Sequence, residues 1–166
     1  MQWLSPDIMV GKTVKYRPVD VLVESTMIVR SGHIVFPRKI KYKDLAKVFP
    51  DLMKLFLKES GQMPEEEALA RILVRSNVLD LQANRKPEGF NRDNKLRLVF
   101  PINKGGEVSF YIYRSTRSEE VARLTEMISG FLRQKGIPHK LEWDKMLLYQ
   151  YKEKRARRPD AQPPNA

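Results

Sequence analysis

Residues 96–113 read Leu96-Arg97-Leu98-Val99-Phe100, Pro101-Ile102-Asn103-Lys104-Gly105-Gly106-Glu107, Val108-Ser109-Phe110-Tyr111-Ile112-Tyr113. The two outer runs alternate apolar and polar positions, which is the period of a half-buried strand. The segment between them holds Asn103-Lys104-Gly105-Gly106, whose glycines accept the positive φ that a tight reversal needs. The stretch predicts an antiparallel hairpin. Leu96, Leu98, Phe100, Phe110 and Ile112 share the inward face. The opposite face then carries Lys95, Arg97, Ser109, Tyr111 and Tyr113.

Downstream the period changes from two to that of a helix. Thr116 with Glu119 fits a capping box. Val121, Leu124, Ile128, Phe131 and Leu132 form the buried stripe of the helix that follows. Gly136-Ile137-Pro138 stops it with a left-handed cap, an apolar follower and a residue that cannot continue. His139–Trp143 and Met146–Tyr151 read as two more strands around Asp144-Lys145. The C-terminal half is therefore expected to be a ββαββ unit.

Upstream, residues 84–94 have the composition of a loop, with Asn84 as a C-cap. Before them Pro64 and Glu65-Glu66-Glu67 suit a helix start. Leu69, Ile72, Leu73, Ser76 and Leu79 line one expected face of that helix. Leu45, Val48, Phe49, Leu52, Leu55 and Phe56 recur at helical spacing over 42–59. Pro50 inside this pattern either kinks one helix or begins a second, and Ser60-Gly61 ends the segment. Residues 1–43 read as an antiparallel meander: Val19–Glu24, Thr26–Arg30, a turn at Ser31-Gly32-His33, and Ile34–Phe36 stopped by Pro37.

The expected architecture is a single α+β domain over 1–151, with a possible sub-division into 1–63 and 64–151. It has an N-terminal antiparallel β-meander, a central helical pair and the C-terminal ββαββ unit. Residues 152–166 form a basic, proline-rich tail with nothing to bury.

The chain has 166 residues and no cysteine, which excludes disulfides, Cys-ligated zinc, iron–sulfur clusters and thiol catalysis. No apolar run approaches a bilayer span, and Met1–Val10 lacks the basic start of a signal peptide. A cytoplasmic protein without a membrane partner is the expectation, and no cofactor or metal site is predicted.

Charge gives the functional lead. Lys and Arg number 31 against 20 Asp and Glu, a net charge of +11 that favours an anionic partner. The excess avoids residues 44–83, where acids outnumber bases, and gathers on the expected strands, loops and tail. Three candidate contact regions follow. On the hairpin, Tyr111 and Tyr113 beside Arg97 combine base stacking with phosphate attraction, unless a helix covers that face and makes the tyrosines core. Arg114-Ser115-Thr116-Arg117-Ser118 opens the expected helix, where free backbone N–H groups and two arginines favour a phosphate. Plain capping by Thr116 explains the same residues. In the tail, Lys152, Lys154, Arg155, Arg157 and Arg158 suit an arm that neutralises phosphates, against a merely solvated terminus.

Catalytic motifs are scarce. There is no Gly-x-Ser-x-Gly elbow, and Lys104-Gly105-Gly106 is too short for a phosphate loop. His33 and His139 are expected in or beside turns. Glu142 and Asp144 share a strand face with Lys140, a pair of carboxylates that a Mg²⁺-dependent nuclease would use. An ordinary solvated strand face shows the same alternation.

The order helix, hairpin, helix, hairpin from 64 to 151 resembles the core of the LAGLIDADG homing endonucleases, with Leu69-Ala70-Arg71-Ile72-Leu73 in place of their first helix motif. That family needs an acidic residue and glycines at the helix end, where this chain has Val74-Arg75-Ser76-Asn77. The resemblance implies DNA binding without that family's metal catalysis, and the same order of elements occurs in many α+β folds. The sequence thus points first to a non-catalytic DNA- or RNA-binding protein. The alternatives are a protein-interaction module or small regulatory subunit of a larger assembly, and a metal-dependent nuclease.

Overall fold

A computed structural model describes residues 27–92 and 95–145. The chain runs β1 (Val29–Val35), α1 (Tyr42–Leu45), α2 (Phe49–Glu59), α3 (Glu67–Gln82), β2 (Arg97–Val99), β3 (Ser109–Ser118), α4 (Glu119–Gln134) and β4 (Lys140–Trp143). The strands form one antiparallel sheet in the order β2-β3-β1-β4. The fold is α+β, and β3 lies between β2 and β1, a split β-α-β-β-α-β arrangement.

The hairpin forms where its alternation placed it. Leu98 pairs with Ile112, and Leu96, Leu98, Phe100, Phe110 and Ile112 are all buried. Gly32 and Ile34 of β1 continue this inward face through their pairing with Ile112 and Phe110. Helix α4 packs on it with Val121, Leu124, Ile128 and Leu132 buried. Gly32 permits that approach: a Cβ there would overlap the Thr125 hydroxyl and come within 2.7 Å of its methyl group. The Phe100 ring joins the sheet to the helices, touching Phe110 on one side and Phe49 and Tyr42 on the other. Leu52, Met53, Phe56 and Leu57 of α2 complete this core.

Several local expectations are corrected. Ser31-Gly32-His33 is not a turn but the middle of β1, and all three residues are buried. The small glycine serves helix packing there rather than chain reversal. The remainder of the expected meander, with Val19–Glu24, lies outside the described residues, as do Met146–Tyr151 and the basic tail. Three helices, not two, separate β1 from β2. Pro50 starts a second helix in its first turn rather than kinking one. Helix α3 begins at Glu67, three residues after Pro64, and Asn84 follows its end with φ 56°.

The largest correction concerns which side of α3 is buried. Asn77 and Leu81 are fully inside, and Leu73, Val74 and Val78 are partly so. Leu69, Ile72 and Leu79, expected in the core, are 52%, 63% and 50% exposed. The buried side follows Asn77, which hydrogen-bonds both backbone groups of Gly89 and so ties the following loop to the helix. The buried side thus combines a second apolar stripe, Leu73, Val74, Val78 and Leu81, with the Asn77 hydrogen bonds.

β3 also extends through Ser118, past the expected helix start. The N-cap of α4 is Ser118, whose hydroxyl accepts the Glu120 N–H at 3.0 Å, and not Thr116. Between the pairs Ser31↔Tyr113 and Val29↔Ser118, residues Arg114–Arg117 bulge from the ladder opposite Arg30 alone.

Candidate nucleic-acid interface

Strand alternation divides the sheet residues between its two faces. Away from α4 stand Arg97 and Val99 of β2, Ser109, Tyr111 and Tyr113 of β3, Ser31, His33 and Val35 of β1, and Lys140 and Glu142 of β4. Helix α4 packs on the other side of the sheet, where Thr125 meets Gly32. Arg97, Tyr111 and Tyr113 are half-buried, and Ser31 and His33 are buried at the centre.

Register turns these residues into one continuous row. Arg97 pairs across the ladder with Tyr113, and its guanidinium carbon lies 5.6 Å from that ring's centroid. Tyr113 and Tyr111 meet edge to face at 6.4 Å. Tyr111 pairs with His33 in the next strand, with centroids 5.0 Å apart. A cation and three rings therefore cross β2, β3 and β1. The half-buried Tyr113 and Tyr111 rings and the Arg97 charge are the chemistry that stacked bases and a phosphate backbone require, with the buried His33 ring behind them.

Beyond His33 the face opens into a cavity of about 340 Å³. Lys104 from the hairpin turn, Lys140 from β4 and Lys145 after it reach its wall, with Ser109 and Asn103 beside them. The Asn103 amide donates to Glu107 O and Ser109 Oγ, bracing the turn against β3. The Glu142 carboxylate sits between Lys140, at 3.3 Å, and Lys145. The hydrogen bond from Lys145 holds Glu142 below the usual carboxylate range, and Lys140 adds to this against partial burial. Glu142 is thus a counter-ion of two lysines.

His33 donates to or accepts from Ser31 Oγ at 3.0 Å, according to its tautomer. Burial, reinforced by Lys145, pushes its pKa down to about 4, against the pull of Glu142 and Asp144. The ring is neutral at physiological pH.

Asp144 has a backbone task. Its φ is 55°, and its Oδ1 accepts the N–H of Arg30 at 2.8 Å and of Ser31 at 3.4 Å. The Asp144 N–H in turn donates to Ser31 O. The two carboxylates proposed for a nuclease are engaged in these separate contacts. Among the described residues no group of three or more His, Asp or Glu side chains is placed to hold a metal ion.

Of the remaining sequence candidates, Arg114 and Arg117 lie on the bulge and not at a helix start. Arg114 pairs with Glu120 at 2.7 Å, and Arg117 is exposed. The phosphate grip expected from a helix N-terminus is therefore not formed by these residues. Lys152, Lys154, Arg155, Arg157 and Arg158 lie outside the described residues. Sequence reasoning missed His33, Lys140 and Lys145 as members of this face. The His33–Glu142 and Val35–Lys140 pairings that bring them in join strands more than a hundred residues apart, and no local pattern announces them.

His139, expected beside a turn, bonds Ser129 Oγ at 2.6 Å and Ile137 O at 2.9 Å, which ties β4 to α4. No helix among the described residues is long and apolar enough to cross a membrane. No protein-family model matches the chain, and neither a curated protein nor a solved structure is significantly similar to it.

Proposed function

We propose that this protein binds single-stranded nucleic acid on the sheet face that carries Arg97, Tyr113, Tyr111 and His33. The observation that carries this reading is the row from the Arg97 guanidinium through the half-buried Tyr113 and Tyr111 rings, backed by the buried His33. Single strands fit such a row because their unstacked bases can lie on aromatic side chains, whereas a duplex hides those faces. The net charge of +11 supports the same partner, and the lysines around the adjacent cavity supply phosphate contacts beside the rings. The basic residues of the tail would act as a second contact, raising affinity without sequence preference.

Fluorescence polarisation with single-stranded RNA, single-stranded DNA and a duplex of equal length tests the proposal at low and high salt. Single strands should bind more tightly than the duplex, and affinity should fall steeply as salt rises. Equal affinity for all three would mean that the rings play no part, and absence of binding at low salt would end the proposal. Which single strand binds better reports whether a 2′-hydroxyl is read.

A further inference from the structure

We infer that the exposed side of α3 is the contact face between two copies of this chain, packed antiparallel about a twofold axis. Leu69, Ile72, Ser76, Leu79 and Ala83 follow one another at steps of three and four residues, the spacing of a helix–helix seam. All five are exposed, and the three large ones at least half so. The same helix buries an asparagine on its opposite side. An apolar stripe left outside in this way marks an interaction surface.

Charge selects a second copy as the occupant. The molecule carries +11, so two copies repel across most of their surface. Helix α3 is an exception, since Glu67 and Asp80 balance Arg71 and Arg75 along it, and Arg71 is already paired with Glu67 at 3.1 Å. Its ends are of opposite sign: Glu65, Glu66 and Glu67 stand at the start, and Arg85 and Lys86 just beyond the finish. Antiparallel packing centred on position 74 brings the acidic start of each helix within a turn of the basic end of the other. It also sets the two helix dipoles head to tail. In this register Leu69 meets Leu79 of the second copy, and Ile72 meets the small Ser76. Large faces small at the centre, which lets the seam close without a void. The stripe is short, so the dimer is a weak, concentration-dependent one.

The inference is independent of nucleic-acid binding, and the experiment keeps the two apart. Sedimentation velocity is run on nuclease-treated full-length protein in high salt, across about a hundredfold range of concentration. A monomer–dimer equilibrium is expected, and Ile72→Glu should weaken it at least about tenfold by placing a charge in the seam. Position 72 is exposed, so the variant should keep the circular dichroism and melting temperature of the parent. The chain has no cysteine, so Leu69→Cys with Leu79→Cys gives a clean oxidation readout: crosslinked dimers support the antiparallel register. Crosslinking of Leu69→Cys alone, with none added by the pair, would show parallel packing and overturn the register. A protein that stays monomeric throughout, or a dimer indifferent to Ile72→Glu, would overturn the inference and leave the stripe to a different partner.

Discussion

His33 and Tyr111 face one another across the β1–β3 ladder, with ring centroids 5.0 Å apart. The contact joins the aromatic row of β3 to the strand at the centre of the sheet. It also excludes water from the imidazole, and that has a measurable consequence. The folded-state pKa of His33 is pushed down to about 4 from the ordinary 6.5. Above pH 6.5 neither folded nor unfolded chain holds this proton, and the group leaves stability unchanged. As pH falls from there toward 4, the unfolded chain takes up a proton that the folded chain refuses. Stability is therefore lost in that window, by at most about 3 kcal/mol. Thermal melts of the parent and of His33→Gln across this range provide the check. The variant should show a flatter dependence of Tm on pH, and parallel curves would contradict the assignment.

The aromatic row makes separate predictions for ring and charge. Tyr113→Leu keeps an apolar side chain but removes a stacking surface, which should weaken single-strand binding by about 1–3 kcal/mol at every salt concentration. Arg97→Gln should lower affinity mainly at low salt and reduce the salt slope by about 0.7, the value for one phosphate contact on a single strand. The two effects are read from the same polarisation titrations. Identical salt slopes in the parent and in Arg97→Gln would remove Arg97 from phosphate contact.

The hairpin and its two faces were legible because both sides of the pattern lie within eighteen residues and each side chain's face follows from alternation. The core stripe of α4 was legible for the same reason, its spacing being local. What was hidden depends on partners far along the chain. Ser31-Gly32-His33 has the composition of a turn, and only the approach of Thr125 from α4 explains a glycine at that place in a strand. Lys140 and Glu142 look like one side of any exposed strand until β4 is set beside His33. The rotation of α3 is hidden because the helix carries two apolar stripes, Leu69, Ile72 and Leu79 on one side and Leu73, Val74, Val78 and Leu81 on the other, and only tertiary contacts such as the Asn77 bonds choose between them. An asparagine mid-helix gives no sign in sequence that its amide will be matched by Gly89.

Gly32 gives a prediction about packing. Gly32→Ala adds one methyl group where Thr125 already stands, so helix α4 must shift or the Thr125 side chain must move. Thr125 is held by its own bond to Val121 O at 2.7 Å, which limits that movement. A loss of about 1–3 kcal/mol is expected in urea unfolding, the usual range for overpacking. In a Thr125→Ala background the hydroxyl and methyl are gone, and the same substitution should cost measurably less. Equal costs in the two backgrounds would show that the two positions are not coupled.

Asn77 tests the loop that follows α3. Its Oδ1 accepts the Gly89 N–H at 2.7 Å, and its amide donates to Leu73 O at 2.9 Å and to Gly89 O at 3.3 Å. Gly89 cannot be replaced as the partner, since its φ is 76° and a Cβ there would run into the Leu98 carbonyl oxygen. Phe90 then exchanges two backbone hydrogen bonds with Leu98 and packs its ring on Phe56. Asn77→Leu is close in size but leaves both backbone groups of Gly89 buried without these bonds. The expected loss is about 2 kcal/mol, from two unsatisfied groups at roughly 1–3 kcal/mol each, less roughly 1.5–3 kcal/mol gained by a buried leucine. Hydrogen exchange should report it locally, as faster exchange at Gly89 and Phe90. Asn77→Asp keeps the acceptor for the Gly89 N–H but turns an oxygen toward two carbonyls, so it should also destabilise, and more at neutral than at acidic pH. A variant whose Gly89 amide stays as protected as the parent's would show that the loop is held by Phe90 and not by Asn77.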